Sequence, residues 1–110
     1  QKPVDIALAA VDYARRHWTL DKNPGMGQQG LYYYYNIMAR ALAVAGITEL
    51  PAATGEGRIR WRDELIAKLI ALQRPDGSWA NSDNRFWESN PVLATSYSLL
   101  ALEYALGMFR

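Results

Sequence analysis

Two helix-length stretches of this chain carry a single charge each, and that scarcity narrows the folds open to it. Leu31–Ala45, LYYYYNIMARALAVA, has only Arg40, and Pro91–Leu106, PVLATSYSLLALEYAL, has only Glu103. A helix that is apolar nearly all round has to be covered on most sides. Neither stretch approaches the ~18 uninterrupted apolar residues of a membrane span, so the cover has to be protein. Gly46 and Gly107 stand where a left-handed helix stop belongs. Asn90 and Pro91 read as cap and first turn of the second stretch.

The other two helical segments are amphipathic. Pro3 opens one from about residue 3 to 17, with Val4, Leu8, Val11 and Trp18 as an apolar stripe and Asp5, Asp12, Arg15 and Arg16 on the polar side. The other, about Arg60 to Gln73, sets Trp61, Leu65, Leu69 and Leu72 against Arg60, Asp63, Glu64 and Lys68. Acids in its first turn and Arg74 at its end suit the helix dipole. Residues 19–30 and 47–59 are rich in Gly, Pro and Thr and read as a loop and a connector.

The order is thus amphipathic, nearly uncharged, amphipathic, nearly uncharged: an all-α unit over 1–110 built of two αα-hairpins, 3–46 and 60–107. Laying Tyr35-Asn36-Ile37-Met38-Ala39 over Tyr97-Ser98-Leu99-Leu100-Ala101 aligns the hairpins at an offset of 62 residues. Periods of this size indicate an array of helical pairs.

Composition removes several function classes. With 50% apolar and 21% charged residues the chain is globular, and a formal charge of +1 gives no electrostatic reason to expect nucleic acid or an anionic membrane. The absence of cysteine excludes disulfides, thiolate nucleophiles and thiolate metal ligands. The opening Gln-Lys-Pro, without Met or a signal-peptide pattern, suggests a piece of a longer chain.

The stretch Leu69–Trp79, LIALQRPDGSW, has the skeleton Leu69, Gln73, Gly77, Trp79. Arg74-Pro75-Asp76-Gly77 is a turn signal that stops the preceding helix at about Gln73. Gln73 is expected to hydrogen-bond a neighbouring helix terminus beneath the Trp79 ring, tying two helices together. This skeleton resembles the glutamine–tryptophan repeat of the terpene cyclase and protein prenyltransferase superfamily, squalene-hopene cyclase-like proteins included. NPGMGQQGLYYYYNIMARAL is also similar to stretches of bacterial prenyltransferase/squalene-cyclase-like repeat proteins. The resemblance implies an α/α toroid, with inner helices about 31–45 and 91–106 running parallel around a cavity. It implies an apolar or isoprenoid ligand, and a ring needing more hairpins than two, hence apolar flanks and self-association.

The superfamily's catalytic signatures are missing from these residues. No Asp-x-Asp-Asp run occurs, and a zinc set of Asp, Cys and His cannot be assembled without cysteine and with His17 alone. No catalytic residue, metal ligand or cofactor is therefore assigned. His17 reads as a dipole partner at the end of its helix. The alternatives are a non-catalytic interaction module and a polysaccharide lyase-type toroid, for which Arg58, Arg60, Arg62 and Arg85 are too scattered to form a basic groove.

The remaining site material is aromatic. Tyr32, Tyr33, Tyr34 and Tyr35 advance by ~100° each, so together they cover every face of their helix. Rings turned to a cavity could hold an isoprenoid chain or a carbocation, and the others would pack in the core with hydroxyls tied to loop backbone. Tyr97 and Trp87 are the further cavity candidates. The repeat offset sets Arg40 level with Leu102, next to Glu103, so Arg40 and Glu103 are expected to pair across parallel helices.

Overall fold

A computed structural model describes residues 2–108; residues 1, 109 and 110, the ends of the expected 1–110 unit, lie outside them. The elements are α1 (Pro3–Arg16), α2 (Leu31–Val44), β1 (Leu50–Pro51), β2 (Arg58–Ile59), α3 (Trp61–Leu72) and α4 (Pro91–Leu106). The fold is predominantly helical.

Helix ends follow the local chemistry. The Asn90 carboxamide accepts from the Val92 amide at 3.0 Å, and Pro91 needs no partner for a donor it lacks. Gly46 and Gly107 both take positive φ, 74° and 72°. Behind each, two amides turn back onto the last helical carbonyls: Gly46 to Ala43 and Ile47 to Leu42, Gly107 to Tyr104 and Met108 to Glu103.

The core forms where α4 lies against α2 and α3. Along α4 the buried positions are Ala94, Ser98, Ala101 and Ala105, a row of small residues that lets α2 come close. Tyr32, Ala39 and Ala43 are buried on α2, and the repeat offset carries each onto a buried alanine of α4. Glu88, three residues before α4, accepts from the first-turn amides of α2, so the two packed helices start together and run in the same direction. From α3 come Trp61, Leu65 and Leu69, all fully buried. The Trp61 indole donates to the Ile47 carbonyl at 2.7 Å, fixing the start of α3 to the chain leaving α2.

Several expectations need correction. The nearly uncharged helices are covered on one side rather than all round: Tyr33, Ile37 and Val44 of α2 and Val92, Leu99, Leu100 and Leu106 of α4 are exposed. Arg40 and Glu103 are both exposed as well, and no ion pair among the described residues joins them. With an open face available, each charge keeps its water at no desolvation cost.

Helix α1 buries no residue, and its stripe is half-covered only at Val11, with Trp18 beyond the helix end; Val4 and Leu8 stand in solvent. It therefore does not form a tightly packed hairpin with α2. A crevice of about 310 Å³ separates its C-terminal half from Tyr34, Met38 and Leu42, and Arg15 reaches instead to the Ala52 carbonyl beside β1. The connector 47–59 contains an antiparallel pair, Leu50 opposite Ile59 and Pro51 opposite Arg58. Leu50 and Ile59 are both buried, so apolar burial holds this short pair together.

The tie at Leu69–Trp79 exists with a different wiring. Gln73 is exposed, and its side chain donates to Gly77 within its own turn at 2.9 Å. Trp79 makes the link between helices. Its indole donates to the Leu69 carbonyl of α3 at 2.9 Å, and its backbone N–H donates to the Thr95 hydroxyl of α4 at 3.0 Å. Gly77, at φ 91°, closes the turn.

Candidate functional site

Helix α2 begins without a cap of its own. Gly30 occupies the cap position at φ 66°, offers no side chain, and the first turn contains no acid. The missing acceptor comes from the loop before α4. Glu88, fully buried, accepts from the Tyr32 amide at 3.0 Å, the Tyr33 amide at 2.8 Å and the Asn81 side-chain amide at 3.1 Å. A carboxylate buried at a helix N-terminus is stabilised by those donors and by the helix dipole together. Asn81 extends the network by donating to the Gln28 carbonyl at 2.6 Å and, through its backbone, to the Glu88 carbonyl at 2.8 Å. The three segments thus locked together, 19–30, the start of α2 and 80–90, surround one concavity.

That concavity is a cavity of about 420 Å³ at the N-terminal ends of α2 and α4, lined by Asn23, Met26, Gly30, Tyr33, Phe86, Trp87, Glu88, Leu93 and Tyr97. Tyr33, Phe86, Trp87 and Tyr97 give it four aromatic walls among nine lining residues. Tyr33 and Tyr97 stand edge to face, with centroids 5.5 Å apart and planes at 72°. Gly30 is required here twice over: its φ is positive, and a Cβ would come within 3.2 Å of the Phe86 ring.

Trp87 sits at the mouth. Among the described residues it is the non-glycine with positive φ, 62°, and 70% of its surface is exposed. A left-handed backbone at a bulky residue costs on the order of 1–3 kcal/mol and persists only where surrounding bonds enforce it. Here its amide donates to the Asn84 carbonyl and its carbonyl accepts from the Asn90 amide, each at 3.1 Å. The loop thereby holds a large indole out over an apolar opening instead of folding it into the core.

The expected aromatic set divides by helix face. Tyr33, Trp87 and Tyr97 line this cavity. Tyr32 and Tyr35 do not: they are buried in the core, edge to face with centroids 5.7 Å apart, and the Tyr35 hydroxyl donates to the Leu20 carbonyl. Tyr34 faces the α1 crevice, with its hydroxyl directed at the Thr19 carbonyl at 3.3 Å. Burial raises the Tyr35 phenol well above its usual range, and the neighbouring Tyr32, Asp21, Tyr34 and Glu88 add to the shift. Tyr32 and Tyr34 are raised by burial too, Tyr32 also by the Glu88 charge. All three phenols stay neutral, and those of Tyr34 and Tyr35 donate to backbone carbonyls.

Glu88, Asn81 and Phe86 were not singled out in the sequence. The signal available was indirect: a helix starting Gly-Leu-Tyr with no Ser, Thr, Asp or Asn at its cap needs an acceptor from elsewhere. Both Glu88 oxygens are engaged by three donors, which suits the residue to hold the cavity floor rather than to move a proton. Among the described residues no three His, Asp or Glu side chains gather as a metal-binding group. Arg60 pairs with Asp63, Arg62 lies on Trp61 and Arg85 on Phe86; Arg60 and Arg62 share a crevice with Glu49 and Asp63, while Arg85 stands apart in the loop before α4. The chain matches no family model, no curated protein and no solved structure.

Proposed function

We propose that this chain is part of an α/α toroid of the terpene cyclase and prenyltransferase type, and that it binds an apolar, isoprenoid-like ligand between the N-terminal ends of α2 and α4. The observation that carries this reading is the ring-lined cavity, with an exposed Trp87 fixed at its mouth in a costly backbone conformation. Concave, mostly apolar sites with a few fixed polar groups are where small molecules bind. The parallel inner helices support the toroid, as does the link that Trp79 makes between α3 and α4, although Gln73 takes no part in it. The ligand is held by burial and ring contact, with no chemistry assigned to these residues.

Calorimetric titration with farnesol tests the binding. Saturable binding is expected, weakened about tenfold or more in Trp87→Ala through loss of the apolar contact the indole supplies. Farnesol heats that never saturate, or a Trp87→Ala variant that binds like the wild type, would remove the ligand site.

The same reading bears on assembly. Ile37, Val44, Leu99, Leu100 and Leu106 on the inner helices and Val4, Ile6 and Leu8 on α1 are exposed, and apolar side chains of this kind are what a neighbouring hairpin would cover. In a ring, further hairpins would cover them; in the chain alone, other copies would. Light scattering over a wide concentration range is expected to show mass rising above the monomer. A monomer at every concentration would count against the toroid and favour a closed four-helix unit.

A further inference from the structure

We propose that the α2–α4 cavity selects a ligand with a cationic head, an alkylammonium group carried on an apolar chain, over one with an anionic head. This rests on the apolar-site reading above and adds the charge of the head group.

Four rings, Tyr33, Phe86, Trp87 and Tyr97, line the cavity, and its lining contains no Lys, Arg or His. Ring faces carry negative partial charge and attract ammonium groups, most strongly where water is excluded. Tyr33 and Tyr97 meet edge to face with planes at 72°, so each holds the other's orientation at the cavity wall. One of these rings already carries a cation on the side chain next to it: the Arg85 guanidinium lies 5.8 Å from the Phe86 centroid.

The charged residue of the lining is Glu88, fully buried in the floor. Its carboxylate is only partly offset by the amides at the α2 N-terminus, which together amount to about half a positive charge. The residual negative charge is poorly screened in a dry surround and acts on whatever enters. A carboxylate, sulfate or diphosphate head would meet no basic side chain in the lining, Arg85 lying outside it against the Phe86 ring, and a like charge beneath it. A neutral head would gain apolar burial alone. An alkylammonium head gains burial, the ring faces and the attraction of Glu88.

Three probes sharing an octyl chain separate these cases by titration calorimetry: octyltrimethylammonium, octanol and octyl sulfate. The ammonium is expected to bind about tenfold more tightly than octanol, with octyl sulfate the weakest. Trp87→Leu and Tyr97→Leu, which keep apolar bulk and remove the ring face, should each bring the ammonium down toward octanol while leaving octanol little changed. Octyl sulfate binding as tightly as the ammonium overturns the proposal. Equal binding of ammonium and octanol to the wild type overturns it too, while leaving the apolar site standing; failure of all three probes to bind removes both.

Discussion

Replacing Glu88 with alanine is expected to lower the unfolding free energy by about 3–5 kcal/mol, the range for removing one partner of a buried charged network. The change strips the acceptor from the amides of Tyr32 and Tyr33 and from the Asn81 side chain. Each unsatisfied buried donor costs roughly 1–3 kcal/mol, and entry of water into the emptied space recovers part of the total. Glu88→Gln should fall between alanine and the wild type, since it retains one acceptor oxygen but brings an N–H₂ group against donors. Denaturant titration gives the magnitude, and hydrogen exchange gives the location: the Tyr32 and Tyr33 amides should lose protection first. A loss below about 1 kcal/mol, the net worth of one ordinary hydrogen bond, would mean that α2 is capped by something else.

Trp79→Ala should cost a similar ~3–5 kcal/mol, the usual range for truncating a buried Trp. Trp79 is 4% exposed, fills core space, and its indole holds a carbonyl in the last turn of α3. Gln73→Ala should cost less than about 1 kcal/mol, because Gln73 is exposed and its one bond closes its own turn. The contrast between the two residues is the test. Equal losses would show that the glutamine shares in joining the helices, as the spacing of the motif first suggests. Thermal or denaturant melts of the two variants under identical conditions decide it.

Legibility in the sequence tracked how local the cause was. Helix α4 spans the residues its punctuation marks, because Asn90, Pro91 and Gly107 each act on the turn they sit in. Gly46 ends α2 for the same reason. The stripe Trp61, Leu65, Leu69 appears buried as read, since one helix face determines it. Non-local features stayed hidden. The pairing of Leu50 with Ile59 needs two halves of a connector to meet, and the open faces of α2 and α4 depend on which neighbours are present. The four tyrosines could be assigned to different faces from their rotation alone, but which face met the cavity depended on where α4 lay. Trp87 was a candidate from its loop position, whereas Phe86 and Glu88 beside it carried no local signal.

The cap that Glu88 provides sets an order of events for the folding chain. Tyr32 and the carboxylate that satisfies its amide are 56 residues apart. When α2 leaves the ribosome its first-turn amides have only water to bond, and no protein acceptor exists until the loop before α4 has been made. Its start can be completed only by closing a long loop, which is the kind of non-local contact that slows folding. The loop before α4 therefore acts as a template for the beginning of α2. Only a piece that reaches from α2 to the loop before α4 contains both the first turn of α2 and the carboxylate that caps it.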